Sequence, residues 1–204
     1  MLQLVYKPLV FVFVLSAFLY VLIEQGIGSW LPTFNNEVLK LPNQLSVQLT
    51  SIFAASLALG RILAGVVLKK MSWYVLLNSC LLAMALLILL TLPLTHNIEH
   101  STDVGLFTAP LAAYLFPLIG LFMAPVYPVI NSVILSALPK AKHAAMTGLI
   151  VVFSALGGTT GSMVTGYTFA NFDGQTAFYL CLLPLSLLLL SVGLFHRQSK
   201  RVVA

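Results

Sequence analysis

LVFVFVLSAFLYVLIEQGIGSWL, residues 9–31, is an apolar run of membrane-spanning length with a single carboxylate, Glu24, inside it. A hydrocarbon core about 30 Å thick is crossed by roughly 20 helical residues, so the run reads as a transmembrane helix. It is too long for a signal-peptide core and has no small-residue cleavage site behind it, so a retained helix is expected. The pattern recurs along the chain. Six spans are expected, at about 9–32, 46–68, 73–94, 107–137, 145–169 and 176–195. All should be helical, because hydrocarbon offers backbone amides no other partners.

Composition agrees. Apolar residues make up 60% of the 204 and charged residues 7%, with a mean hydropathy of +1.03; soluble domains carry about 25% charged residues. The net charge of +5 does not point to nucleic acid, because the basic residues come in ones and twos at helix ends without interleaved aromatics. Cys80 and Cys181 lie in apolar runs, where a thiol behaves as a small hydrophobe.

Charge also sets an orientation. Lys7, Lys69, Lys70, Lys140, Lys142, Arg197, Lys200 and Arg201 fall in alternate connections, Arg61 lies just inside a span end, and only Lys40 falls on the other side. Glu37, Glu99, Asp103 and Asp173 occupy that other side. Cationic loops resist translocation, so the basic side is read as cytoplasmic with both termini there.

Glu24 carries the strongest chemical signal. It is about eight residues from the expected outer end of its span, roughly 12 Å deep, where a charge costs on the order of 3 kcal/mol. It should therefore face protein or a watery cavity, as a substrate ligand or proton carrier; the alternative is a carboxyl that pins helix packing. Tyr20, Gln25, Gly28, Ser29 and Trp30 surround it in sequence as a polar and aromatic stripe. Tyr127 and Asn131 sit one turn apart in the fourth span, with Tyr114 nearer its outer end. Phenol, indole and amide groups pair stacking faces with donors and acceptors, as a polar ring-shaped ligand requires; interhelical hydrogen bonding is the alternative. Gln48, Thr50 and Asn78 are weaker candidates. Trp30 and Trp73, one near each boundary, also read as interface anchors.

Pro110, Pro117, Pro125 and Pro128 mark the fourth span as bent, since an interior proline removes a backbone donor and presses on the preceding turn. The fifth is rich in small residues, with Gly157 and Gly161 at GxxxG spacing, which admits close backbone approach. The aliphatic third and sixth spans read as lipid-facing outer helices. Arg61, in Gly60-Arg61-Ile62-Leu63-Ala64-Gly65 before Lys69 and Lys70, reads by charge alone as a topology signal that snorkels to headgroups. His96 and His100 are a turn apart, but no third metal ligand is evident. No metal or cofactor is expected. An intramembrane enzyme would need a nucleophile paired with a base at one depth, and neither Ser29 nor Ser162 has one.

Four stretches resemble the C-terminal half of a major facilitator superfamily transporter: YVLIEQGIGSWLP at 20–32, GRILAGVVLKK at 60–70, APVYPVINSVILSALP at 124–139 and SALGGTTGSMVTG at 154–166. They are similar to the seventh helix, the junction of helices eight and nine, and the tenth and eleventh helices of the branch containing fucose and glucose/galactose permeases. The resemblance covers nearly the whole chain. It implies one six-helix bundle built from two inverted three-helix repeats, in a bacterial inner membrane. It further implies a cavity wall carrying Tyr20, Glu24, Gln25, Trp30, Tyr127 and Asn131, hinge or packing positions at Pro125, Pro128, Gly157 and Gly161, and a cytoplasmic motif of Gly60, Arg61, Gly65, Lys69 and Lys70. The expected function is half of a cation- or proton-coupled carrier of a sugar or similar small polar solute. A second six-helix bundle is then required, as a missing N-terminal half, a split partner or a second copy, with lipid around both. That branch's best-known coupling acids lie in the other half, so a coupling role for Glu24 rests on its depth. Transport of a drug-like amphiphile or another metabolite, and a structural or assembly subunit, are the alternatives.

Overall fold

The computed structural model describes residues 6–95 and 104–203, with side chains to residue 198. Among these residues six helical spans are long and apolar enough to cross a membrane, the architecture of a multi-pass membrane protein. The first is α1 (Pro8–Glu37), the second α2 (Asn43–Val67) and the third α3 (Trp73–Thr91), which is extended by a 3-10 turn to Thr95. The fourth is split into α4 (Leu111–Met123) and α5 (Val126–Ala137). The fifth is α6 (His143–Asn171), and the sixth is split into α7 (Gly174–Leu180) and α8 (Leu182–Val203). His96, His100, Glu99 and Asp103 lie outside the described residues.

Prolines account for most differences from the expected boundaries. α1 does not stop at Pro32 but continues to Glu37. Proline costs one bond to the Gly28 carbonyl, and the added turn buries Phe34 against the rings of Phe116 and Phe178. The fourth span starts at Leu111, not 107, because Pro110 holds extended backbone at the N-cap. The helix is interrupted at Ala124–Pro125, whereas Pro117 sits inside α4 without breaking it. The interruption of the sixth span at Cys181 was not expected. Pro184 explains it: its ring clashes with the carbonyl of Leu180, so one helix ends there and the next restarts.

α1 is the centre of the bundle and the most buried span. It runs parallel to α6 along a glycine seam: a Cβ at Gly157 would strike the Phe18 carbonyl oxygen, and one at Gly161 the Leu22 carbonyl oxygen, the same register at both points. Gly26 of α1 faces Gly161 and Thr165 in return. α2 and α4 form a second seam, with Gly60 against Leu121 and Ala124 and Gly120 against Phe53. Neither seam leaves room for a side chain. The main packing pairs are first span with fifth and sixth, and fourth with second and third. Exchanging spans one to three with four to six maps this set onto itself.

The third and sixth spans are not the least covered; the second and fifth are. α3 buries Leu77, Leu81, Met84 and Ile88 while exposing Leu82, Leu86, Leu89 and Leu90, and α8 divides in the same way. Both faces are aliphatic, so composition cannot separate the face on lipid from the face on protein. The buried polar contact of α8 with α1 is Ser16 Oγ to Ser191 Oγ, 2.9 Å.

Asp173 caps α7. Its Oδ1 accepts from the Thr176 amide at 2.6 Å and its Oδ2 from the Thr176 hydroxyl at 2.8 Å. The amide bond holds its carboxyl below the ordinary value of 3.8. A carboxylate with a depressed folded pKa stabilises the fold above its unfolded value, and that contribution is lost as pH falls through the folded one. Asp173→Ala is therefore expected to cost roughly 1 kcal/mol or less at pH 7. The gap in thermal midpoint between the two proteins should close below about pH 3.8.

Candidate functional site

The antiparallel packing of α1 and α2 sets Asn35 against Ser46 and Gly28 near Phe53. Continuing along the same pair brings Glu24 to Arg61, with Arg61 Nη2 3.7 Å from Glu24 Oε1. This ion pair joins two membrane-spanning helices. Because α1 runs past Pro32, Glu24 lies near the middle of a 30-residue helix, roughly 20 Å from its acidic end. Arg61 does not stand free as a snorkelling topology signal. Its guanidinium is engaged with the carboxylate, and a charge at this depth gains from a partner.

Tyr20, one turn from Glu24, stacks on Tyr127 of α5 with ring centroids 5.6 Å apart and planes 22° from parallel. Tyr127 in turn shares a hydrogen bond of 2.9 Å with Ser154 of α6. The break at Ala124–Pro125 immediately precedes Tyr127, which lies in the first turn of the restarted helix. Tyr20, Glu24, Arg61, Tyr127 and Ser154 thus form one cluster drawn from α1, α2, α5 and α6. The Tyr20 hydroxyl is buried against the Glu24 carboxyl, and the buried side-chain oxygen of Asn131, one turn from Tyr127, has no hydrogen-bond partner. Buried polar groups without partners are uncommon and call for a reason.

The cluster opens to one side. The Glu24 side chain is 18% exposed and that of Arg61 55%. Gln25 and Ser29 are exposed on α1 and joined by a 3.4 Å hydrogen bond, with Gly158 of α6 beside Gln25. Pro128 and Ser132 are exposed on α5. The face therefore combines an acid, a guanidinium, phenols, hydroxyls and amides, and it borders the two least covered spans.

Other expected residues lie elsewhere. Trp30 turns into the α1–α6 seam, where its indole N–H donates to the Ser162 carbonyl at 2.9 Å and its ring stacks on Phe169 at 5.3 Å. Tyr114 donates to the Leu106 carbonyl. Asn78 donates to the Tyr74 carbonyl at 2.7 Å and Thr50 to the Ser46 carbonyl at 2.9 Å, both within their own helices, and Gln48 is exposed. Trp73 packs edge-on to Tyr74 and Phe195 at the basic end. The residues grouped as a cytoplasmic motif divide among different roles. Gly60 closes the α2–α4 seam, Arg61 joins the cluster, Gly65 has open space around it, and Lys69 and Lys70 are exposed in the turn after α2. Sequence reading missed Arg61 and Ser154 as members of the cluster. The signal for Arg61 was a single guanidinium in an otherwise uncharged helix; Ser154 gave none beyond its small size. Among the described residues no group of three His, Cys, Asp or Glu is placed to hold a metal.

No protein-family model matches the chain, and no curated protein matches it either.

Proposed function

We propose that the chain is one bundle of a secondary transporter of major facilitator type, which moves a sugar or similar small polar solute by alternating access, driven by a proton or another cation. The observation that carries this reading is the Glu24–Arg61 pair: an acid and a guanidinium held deep in a membrane-spanning bundle, partly exposed on a polar face. Intramembrane ionisable residues mark substrate and ion pathways because their placement is costly and lipid exposure is disfavoured.

Three further features support it. The four main packing pairs map onto one another when the two trios of spans are exchanged, as expected of two inverted three-helix repeats, while the first–second pair has no fourth–fifth counterpart of like extent. Tyr127 follows directly on an interruption of its helix, which suits a side chain that must shift with a solute. The second and fifth spans offer the uncovered faces on which an opposing six-helix bundle would close the cleft, with lipid around the rest. In this reading both termini are cytoplasmic and the membrane is a plasma membrane, bacterial by resemblance. A solute would lie against Tyr127, Asn131 and Gln25, with Glu24 as the coupling group.

The test is uptake in native membrane vesicles from cells with and without the chain. Under an imposed proton gradient, at least one labelled monosaccharide or small polar solute should accumulate above equilibrium only where the chain is present, and an uncoupler should collapse the excess. Identical uptake by the two vesicle preparations across the panel would count against a carrier.

A further inference from the structure

Arg61 has more binding capacity than Glu24 uses. The contact is single, from one terminal nitrogen to one carboxylate oxygen at 3.7 Å, and more than half of the Arg61 side chain is exposed. A guanidinium presents a planar fork of donors that matches a carboxylate or similar anion through two parallel bonds, and it does not lose its proton. It is the single charged side chain in the sequence of α2. A fixed positive charge at this depth needs an anion whenever the site is closed off from water.

Resting on the carrier reading above, we propose that the transported solute itself bears one negative charge, a carboxylate or a group of like geometry, and that Arg61 is its ligand. Glu24 and the solute compete for the same guanidinium. With the cleft empty, ionised Glu24 neutralises Arg61. When a proton enters, Glu24 becomes neutral and releases Arg61, and the arriving anion takes its place. Both the empty and the loaded states then carry no net charge, and one proton travels with one monoanion. A neutral sugar travelling with a proton would instead leave Arg61 unbalanced in the loaded state, in the low-dielectric interior where an unpaired charge is most costly.

The surroundings of the carboxylate fit this exchange. Among the described residues, the groups facing Glu24 that titrate or carry charge are Tyr20 on its own helix and Arg61 on α2, with Tyr127 of α5 stacked behind Tyr20. α6 presents Ser154 and Gly158 on that side, and α8 meets α1 two turns away through Ser16 and Ser191. Arg61 is thus the cation for which both anions compete.

The experiment is equilibrium binding to native membranes containing the chain, with labelled glucuronate, lactate and benzoate as anionic probes and glucose, galactose and glycerol as neutral ones. At least one anion should bind, more tightly at pH 5.5 than at pH 8, with neutral probes weaker. Arg61→Gln should weaken that binding by roughly thirtyfold or more. Arg61→Lys, which keeps the charge but not the fork, should fall between. Glu24→Gln imitates the protonated acid and should bind the anion at least as tightly as the native chain, with the pH dependence gone. Loss of anion binding in Glu24→Gln would overturn the competition, provided its thermal midpoint matches the native one. Binding of a neutral sugar in preference to every anion, unchanged in Arg61→Gln and Arg61→Lys, would overturn the inference and leave the carrier standing. Rejection of every probe, charged and neutral, would count against the carrier and remove the inference with it.

Discussion

Gly161→Leu is expected to abolish folded protein. The α1–α6 seam brings the backbones of the two helices together, and even a methyl group at Gly161 would fall on the Leu22 carbonyl oxygen. Backbone cannot swing aside as a side-chain end can, so the helices would have to separate. That would also pull Trp30 of α1 from the Ser162 carbonyl of α6. Overpacking by single methylenes costs about 1–3 kcal/mol, and a leucine adds several groups to a contact with no free space. Gly161→Ala and Gly157→Ala should each lower the thermal midpoint, despite the roughly 1 kcal/mol by which alanine favours a helix over glycine. Gly65→Ala provides the opposite sign. Nothing lies within 4 Å of a Cβ there, so the helix preference acts unopposed and the midpoint should rise slightly. Detergent-solubilised chain followed by size-exclusion chromatography and thermal scanning reads all four.

The second large effect belongs to Glu24→Gln, which should leave folded protein intact and reduce gradient-driven accumulation to the equilibrium level. Glutamine keeps the size and hydrogen-bonding shape of the side chain but has no proton to load and release. Removing a charge from the membrane interior relieves on the order of 3 kcal/mol of insertion cost. The Arg61 left behind is 55% exposed, on the face read as the cleft. Stability therefore moves little while coupling is lost. Exchange of solute at equal concentrations on the two sides should persist, because that cycle never requires Glu24 to ionise. Normal accumulation by Glu24→Gln would exclude the carboxyl from the coupling step.

The spans were legible because hydropathy and the requirement for internal hydrogen bonding act along the chain, where a sequence can be read directly. Their ends were less so. Pro32 reads as a stop, yet the helix passes through it because burial of Phe34 outweighs one missing hydrogen bond; Pro184 reads as unremarkable, yet it divides the sixth span. Faces were hardest. α3 and α8 are aliphatic all round, so their buried and exposed sides look the same in sequence. In the cluster, Tyr20, Glu24 and Tyr127 stand out in the sequence by residue type and depth, and the fold brings them together. Trp30 is close to Glu24 along the chain, but it points into the glycine seam. Arg61 was read from its distance to a helix end. Its engagement with Glu24 depends on the α1–α2 register, which no single helix encodes.

The central claim is that Glu24 and its neighbours turn towards water and away from acyl chains. Reaction of a membrane-impermeant, charged thiol reagent with Gln25→Cys tests it most directly, because Gln25 is exposed on this face and the native Cys80 and Cys181 are buried. Leu86→Cys, exposed on the aliphatic side of α3, is the comparison. Rapid modification of Gln25→Cys in native membranes, with Leu86→Cys unmodified, is the predicted result; a Gln25→Cys as unreactive as Leu86→Cys would contradict a wet cleft at Glu24.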